Sequence, residues 1–129
     1  MTFPLPESIT AGVTTGHAAD HQDIAKLLNS TANSQSGTTY TLALTDFGRV
    51  VETTNASAVT VTVPPNSSVA FPTGTIVEVL QTGAGQVTVA QGAGVTINTP
   101  TTLVLRAQWS SVVLRKRATD TWVLAGDTT

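Results

Sequence analysis

Two histidines one helical turn apart are the residues in this chain best spaced to share a chemical role. His17 and His21 are four positions apart, with Asp20 and Asp23 beside them. On a helix, side chains at i and i+4 share a face, so both imidazoles could reach one metal ion. Only Asp20 or Asp23 is near enough to supply a further ligand, and the His-Glu-x-x-His hydrolase pattern is absent. The favoured interpretation is therefore a pair of polar residues that set the register of packed helices.

A second cluster contains four of the six basic residues within twelve positions, together with tryptophan. The basic residues are Arg106, Arg115, Lys116 and Arg117. A patch of Arg106, Trp109, Arg115 and Arg117 could bind an acidic surface or a glycan, with Trp109 and Trp122 as stacking platforms. The alternatives are a charged sheet edge that discourages strand addition, and tryptophans that pack in a core or an interface.

The carboxylates of the same region show no pairing that indicates acid–base chemistry. They are Asp46, Glu52, Glu78, Asp120 and Asp127. General acid–base and nucleophilic catalysis need positioned partner groups, and no nucleophile–base pair is visible. The sequence has no cysteine, which excludes disulfides and thiolate metal sites. It therefore predicts a non-enzymatic protein without a cofactor.

The composition favours an assembly component. Charged residues make up 11% of the 129 residues, against about a quarter in typical domains. A surface of short neutral polar groups repels itself weakly, which favours contact with identical copies or a fixed place in a larger structure. The net charge of −2 argues against nucleic acid as a partner. No apolar run is long enough to span a membrane, and the first residues lack the pattern of a secretory signal.

The first part of the chain predicts an arm followed by a helix. Pro4 and Pro6 favour extended backbone over residues 1–14, and the residues predicted to dock are Phe3, Pro4, Leu5, Pro6 and Ile9. A helix is predicted over residues 16–29. The side chains at its heptad-like seam are His17, His21, Ile24 and Leu28. A helix this short needs a partner surface or sister helices. Residues 1–36 are thus predicted as arm, helix and connector, the connector being the small polar stretch 30–38.

Residues 37–129 predict a mainly β module, as an antiparallel β-sandwich or jelly-roll. Short β-patterned runs alternate with Pro- and Gly-containing turn signals. The predicted strands are residues 40–44, 49–53, 58–63, 75–81, 86–90, 95–98, 102–107, 111–117 and 121–125. Val59, Val61 and Val63 alternate with threonines and predict one buried face. A nine-residue echo, Gly-Ala-Gly at 83–85 and again at 92–94, predicts successive hairpin turns and not a solenoid.

Several loose motifs together cover most of the chain. Pro4-Leu5-Pro6-Glu7-Ser8-Ile9-Thr10 precedes Gly16-His17-Ala18-Ala19-Asp20-His21 and Ile24…Leu27-Leu28-Asn29. A Tyr-Thr-Leu…Asp-x-Gly-x-Val start lies at 40–50, a Val-Thr-Val-Pro-Pro-Asn run at 61–66 and a Trp-x-Leu-x-Gly-Asp ending at 122–127. In these motifs the chain resembles small structural proteins of tailed bacteriophages, especially actinobacterial phages: head decoration, head fibre and minor tail proteins.

The resemblance implies a virion structural protein, commonly a homotrimer. It implies a capsid decoration protein that cements the outer surface of the head, binds the major capsid protein through its arm and is assembled in the host cytoplasm. The alternative is a tail fibre or baseplate component that binds host glycans. Tail fibres normally continue into long shaft repeats, so a single β-module favours the head.

Overall fold

The structure is a computed structural model that describes residues 31–129. The chain divides into two units, Met1–Ser30 and Thr31–Thr129. The predicted helix and two predicted sets of residues lie outside the described residues. These sets are the docking arm (Phe3, Pro4, Leu5, Pro6 and Ile9) and the helix seam (His17, His21, Ile24 and Leu28).

The described unit is mainly β, as predicted, and contains two sheets. Its strands are β1 (Asn33–Gln35), β2 (Thr39–Thr41), β3 (Val50–Thr53), β4 (Val59–Val63), β5 (Ile76–Gln81), β6 (Val87–Gln91), β7 (Thr96–Asn98), β8 (Ser111–Ala118) and β9 (Thr121–Gly126), with a short 3₁₀ helix at Leu44–Asp46. Six strands form one sheet in the order β1-β3-β5-β8-β9-β7, and three form the other in the order β2-β4-β6.

Successive strand pairs wind as three stacked coils. Each coil places one strand in each sheet: β1 and β2, then β3 and β4, then β5 and β6, and neighbouring coils pair in parallel. Residues 28 apart are in register between the second and third coils, as in Val51 with Val79 and Val59 with Val87. The repeat of this chain is therefore a 28-residue coil.

This winding corrects the predicted antiparallel sandwich or jelly-roll. Among residues 31–129, only β5 with β8 and β8 with β9 pair antiparallel, and the other five pairings are parallel. The glycine echo also differs from prediction, because its two copies lie between β5 and β6 and between β6 and β7, which belong to different sheets. An alternating strand pattern fixes which face is buried but carries no information on strand direction.

Two further predicted elements changed. The connector includes β1, which pairs with β3. The predicted strand 102–107 forms only isolated bridges, Thr88 with Val104 and Leu105 with Thr128.

Glycines let the corners of the coils stack. The Gly83 and Gly85 backbones lie directly on residues 54–57 of the coil below, and Gly85 N donates to Asn55 O at 3.0 Å. A Cβ on Gly85 would overlap the carbonyl oxygen of Ser57. These glycines are therefore required by close backbone approach.

One hydrophobic core lies between the sheets. The predicted face of Val59, Val61 and Val63 is confirmed, since each valine is at most 2% exposed. Burying a valine side chain contributes about 1.5–3 kcal/mol. The core is closed by the β8–β9 hairpin, whose Trp122 is 1% exposed and meets the Phe71 ring edge-to-face at 5.6 Å between centroids.

Candidate functional site

The structure separates the three consecutive basic residues of β8. Arg115 and Arg117 are exposed, whereas Lys116 is 3% exposed. Lys116 Nζ donates to Asn66 Oδ1 at 2.7 Å and to the Phe71 carbonyl at 2.6 Å. Side chains alternate along a strand, so Lys116 points inward while its neighbours point outward. Lys116 therefore ties the 64–71 loop to β8.

Arg106 belongs to a different cluster, at the carboxyl end of β9. Its guanidinium donates to both carboxylate oxygens of Asp127, from Nε at 2.8 Å and from a terminal nitrogen at 2.7 Å. Ser110 Oγ donates to the same carboxylate at 2.7 Å and accepts from Ala107 N at 3.0 Å. This bidentate pair fastens the loop before β8 to the end of the chain.

The Asp127 carboxyl should titrate well below an ordinary aspartate. The hydrogen bonds from Arg106 and then Ser110 lower the pKa of Asp127 to about 2. A depressed pKa stabilises the folded protein above pH 3.8, and this contribution is lost as the pH falls through about 2. Carboxyl ¹³C titration by NMR should show the low value in the native chain and a return toward 3.8 in Arg106→Gln. An unchanged pKa in that variant would show that the ion pair is absent in solution.

The two tryptophans occupy opposite environments. Trp122 lies in the core, which excludes it as a stacking platform, while Trp109 is 69% exposed. Trp109 has a φ of 74°, which is strained for a bulky side chain. Its backbone N–H donates to Gln81 O at 2.6 Å, and Gln108 Nε2 donates to Thr82 O at 2.9 Å. The exposed ring is therefore displayed from a backbone anchored to the end of β5.

The predicted patch does not come together as one surface. Trp109 and Arg106 lie at the start of β8, beside the end of β5, whereas Arg115 and Arg117 lie near the end of β8. At a strand rise of about 3.3 Å per residue, Ser111 and Arg117 are roughly 20 Å apart. The patch thus divides into an Arg106–Trp109 part and an Arg115–Arg117 part.

A buried polar network holds the first coil. Asp46 is fully buried and accepts hydrogen bonds from Tyr40 Oη at 2.6 Å, Asn33 Nδ2 at 2.8 Å and Ala43 N at 2.8 Å. Burial, and then the hydrogen bond to Asp46, raise the pKa of Tyr40 to about 12. The Asp-x-Gly motif is explained here, because Gly48 has a φ of 70° directly after this turn.

Metal and membrane chemistry find no support in the described unit. Across residues 31–129, no three His, Cys, Asp or Glu side chains are grouped as metal ligands. The same residues include no helix long and apolar enough to cross a membrane.

The surface that sequence reasoning missed is the outer face of the six-stranded sheet. Ladder partners share a face, and the residues that alternate with the buried ones define it. This outer face consists of Val50, Glu52, Ile76, Glu78, Leu80, Val113, Arg115, Val123 and Ala125. Ile76 is 48% exposed and Val113 is 40% exposed. Contiguous exposed apolar side chains of this kind mark interaction surfaces.

An open groove of about 400 Å³ lies at the basic end of the outer face. It is lined by Thr73, Gly74, Arg115, Lys116, Arg117 and Val123. Two exposed guanidinium groups at one groove suit an anionic group such as a carboxylate.

Comparisons with known proteins returned no relative. No family model matches the chain, and neither a curated protein nor a solved structure matches it. The function proposed for this chain therefore depends on its own residues and their geometry.

Proposed function

We propose that this chain is a non-enzymatic structural protein of a bacteriophage virion that decorates the outer capsid surface as a trimer. The observation that carries the proposal is the role of the motif residues behind the phage resemblance. Tyr40 and Asp46 bond each other, Asn66 holds Lys116, Trp122 fills the core, and Asp127 ends the chain in an ion pair. Motifs that fasten coils together suit a rigid module whose task is mechanical.

The charged side chains of these motifs support the same role. Asp46 and Lys116 are buried in hydrogen bonds to other described residues, and Asp127 is paired with Arg106. Each of them joins segments distant in sequence. The surface instead presents apolar residues on the outer face, which suits a component that works by contact.

In the proposed arrangement residues 1–14 bind the major capsid protein, and the β-unit projects from the head. Joining three arms in one trimer raises the effective concentration of the second and third arms once the first has bound. Such avidity lets weak individual contacts cement neighbouring capsomers.

Removing residues 1–14 should abolish capsid binding and leave the β-unit folded. Binding is measured by cosedimentation with undecorated heads, and copy number by quantitative mass spectrometry of virions with cryo-electron microscopy. Hundreds of copies on the head are expected. A control in which residues 1–14 are replaced by a Gly-Ser segment of equal length separates loss of contacts from loss of length. Full binding by the truncated chain would contradict the arm, and a handful of copies at the tail would contradict decoration.

The second candidate is a tail fibre or baseplate component that binds host glycans, and it is favoured by the exposed, anchored ring of Trp109. Aromatic faces bury large area at small entropic cost. A glycan array distinguishes the two candidates: binding that is lost in Trp109→Ala supports the fibre, and an array without signal supports decoration.

A further inference from the structure

The charges on the outer face are separated by sign. Glu52 and Glu78 lie on β3 and β5, and Arg115 and Arg117 lie on β8. Within residues 31–129 the sole ion pair is Arg106 with Asp127, so these four side chains pair with no other described residue. Exposed acidic and basic groups that avoid each other inside one chain are available to a partner.

The register places the two signs at different ends of the face. Glu52 lies opposite Leu80, which in turn lies opposite Ser111 at the start of β8. Arg115 lies opposite Ile76, near the end of β8. Apolar side chains fill the positions between, with Glu78 opposite Val113 and Val113 opposite Ala125. The outer face thus has an acidic end, an apolar middle and a basic end with the groove.

We propose that the outer face binds a second copy of this chain, with the acidic end of one copy against the basic end of the other. A surface carrying both signs in this order is the complement of itself when rotated, which is the requirement for contact between identical subunits. In that contact Ile76 and Val113 are withdrawn from water, and a glutamate of one copy enters the Arg115–Arg117 groove of the other. The inference rests on the proposed function in taking self-association as given, and it assigns the surface responsible.

The test uses two full-length variants of opposite design. A basic variant carries Glu52→Arg and Glu78→Arg, and an acidic variant carries Arg115→Glu and Arg117→Glu. All four side chains point away from the core, so urea denaturation should show both variants folded. Each variant alone presents one sign at both ends, and its self-association by analytical ultracentrifugation should weaken at least tenfold.

Mixing the two variants gives the decisive result. After unfolding and refolding together, native mass spectrometry should show oligomers that contain both variants in excess of binomial proportions, because only mixed contacts pair opposite charges. This excess is expected even if another segment also contributes to assembly. Binomial proportions would overturn the proposal and place another occupant, such as residues 1–30 of the same chain, on the face. A control with Ala56→Glu and Ala84→Glu adds charge at exposed corners and should mix randomly with the native chain.

Cysteine crosslinking gives a second readout in a chain that has no cysteine of its own. The pair Glu52→Cys with Arg117→Cys joins opposite ends of the face. Two strand spacings and six residues of rise separate them by roughly 20 Å, beyond the reach of about 7 Å for a disulfide within one chain. Mild oxidation should therefore give covalent dimers on a non-reducing gel, and exclusively monomers would contradict the interface.

The two proposals fail separately. Random mixing by a protein that still decorates heads would overturn the interface and leave the proposed function standing. Selective mixing by a protein found at the tail would do the reverse.

Discussion

Substituting alanine for Gly85 is expected to lower the free energy of unfolding by at least about 3 kcal/mol, at the upper end of the range for overpacking. A Cβ at this position would overlap the Ser57 carbonyl oxygen and lie 2.8 Å from Asn55 O. Both obstacles are backbone atoms of the coil below, which cannot move without breaking the stacking. Relief would require loss of the hydrogen bond from Gly85 N to Asn55 O.

Gly37 provides the matched control in the corner of the first coil. An added Cβ there meets its nearest atom, Thr39 O, at 3.6 Å, which is ordinary contact. Gly37→Ala should change the free energy of unfolding by less than about 0.5 kcal/mol. Urea denaturation followed by circular dichroism measures both variants. Equal effects would show that the corners are not stacked as described.

Replacing Trp122 with alanine is expected to cost about 3–5 kcal/mol. The side chain is 1% exposed and packs edge-to-face on Phe71. Its removal leaves a cavity where the β8–β9 hairpin closes the core, and the backbone on both sides is held in sheet pairing. The cavity can therefore collapse only in part.

Trp109→Ala is the control of identical chemistry at an exposed position. Because Trp109 is 69% exposed, the free energy of unfolding should change by less than about 0.5 kcal/mol. Trp122→Phe should recover part of the loss by keeping an aromatic ring against Phe71. A similar loss in Trp109→Ala and Trp122→Ala would contradict the assignment of one ring to the core and the other to the surface.

Local patterning in the sequence predicted the strands and their buried faces but not their winding. Val59, Val61 and Val63 alternate with polar residues, and alternation depends only on the pleat of a single strand. Parallel pairing depends on contacts 28 residues away, such as Val51 with Val79. Gly83 and Gly85 also misled, since glycine serves a hairpin turn and a stacked corner equally well.

The candidate surface shows the same division between local and distant information. Alternation along β8 was sufficient to separate Lys116 from Arg115 and Arg117, because consecutive strand residues point to opposite faces. The outer face could not be predicted, because it joins Glu52 with Arg115 through the strand order β3-β5-β8. Trp109 and Trp122 were indistinguishable by residue type, and only the placement of the β8–β9 hairpin separates them.

The coil register also limits how this chain could change length during evolution. One residue inserted within β4 or β6 would send every later side chain of that strand to the opposite face, so core valines would enter solvent. Duplication of a whole 28-residue coil would present the same valines inward and the same backbone groups to its neighbours, because each coil contacts only the adjacent ones. Homologues that keep the fold are therefore expected to gain or lose length in whole coils or in exposed loops, and seldom by single residues within the strands.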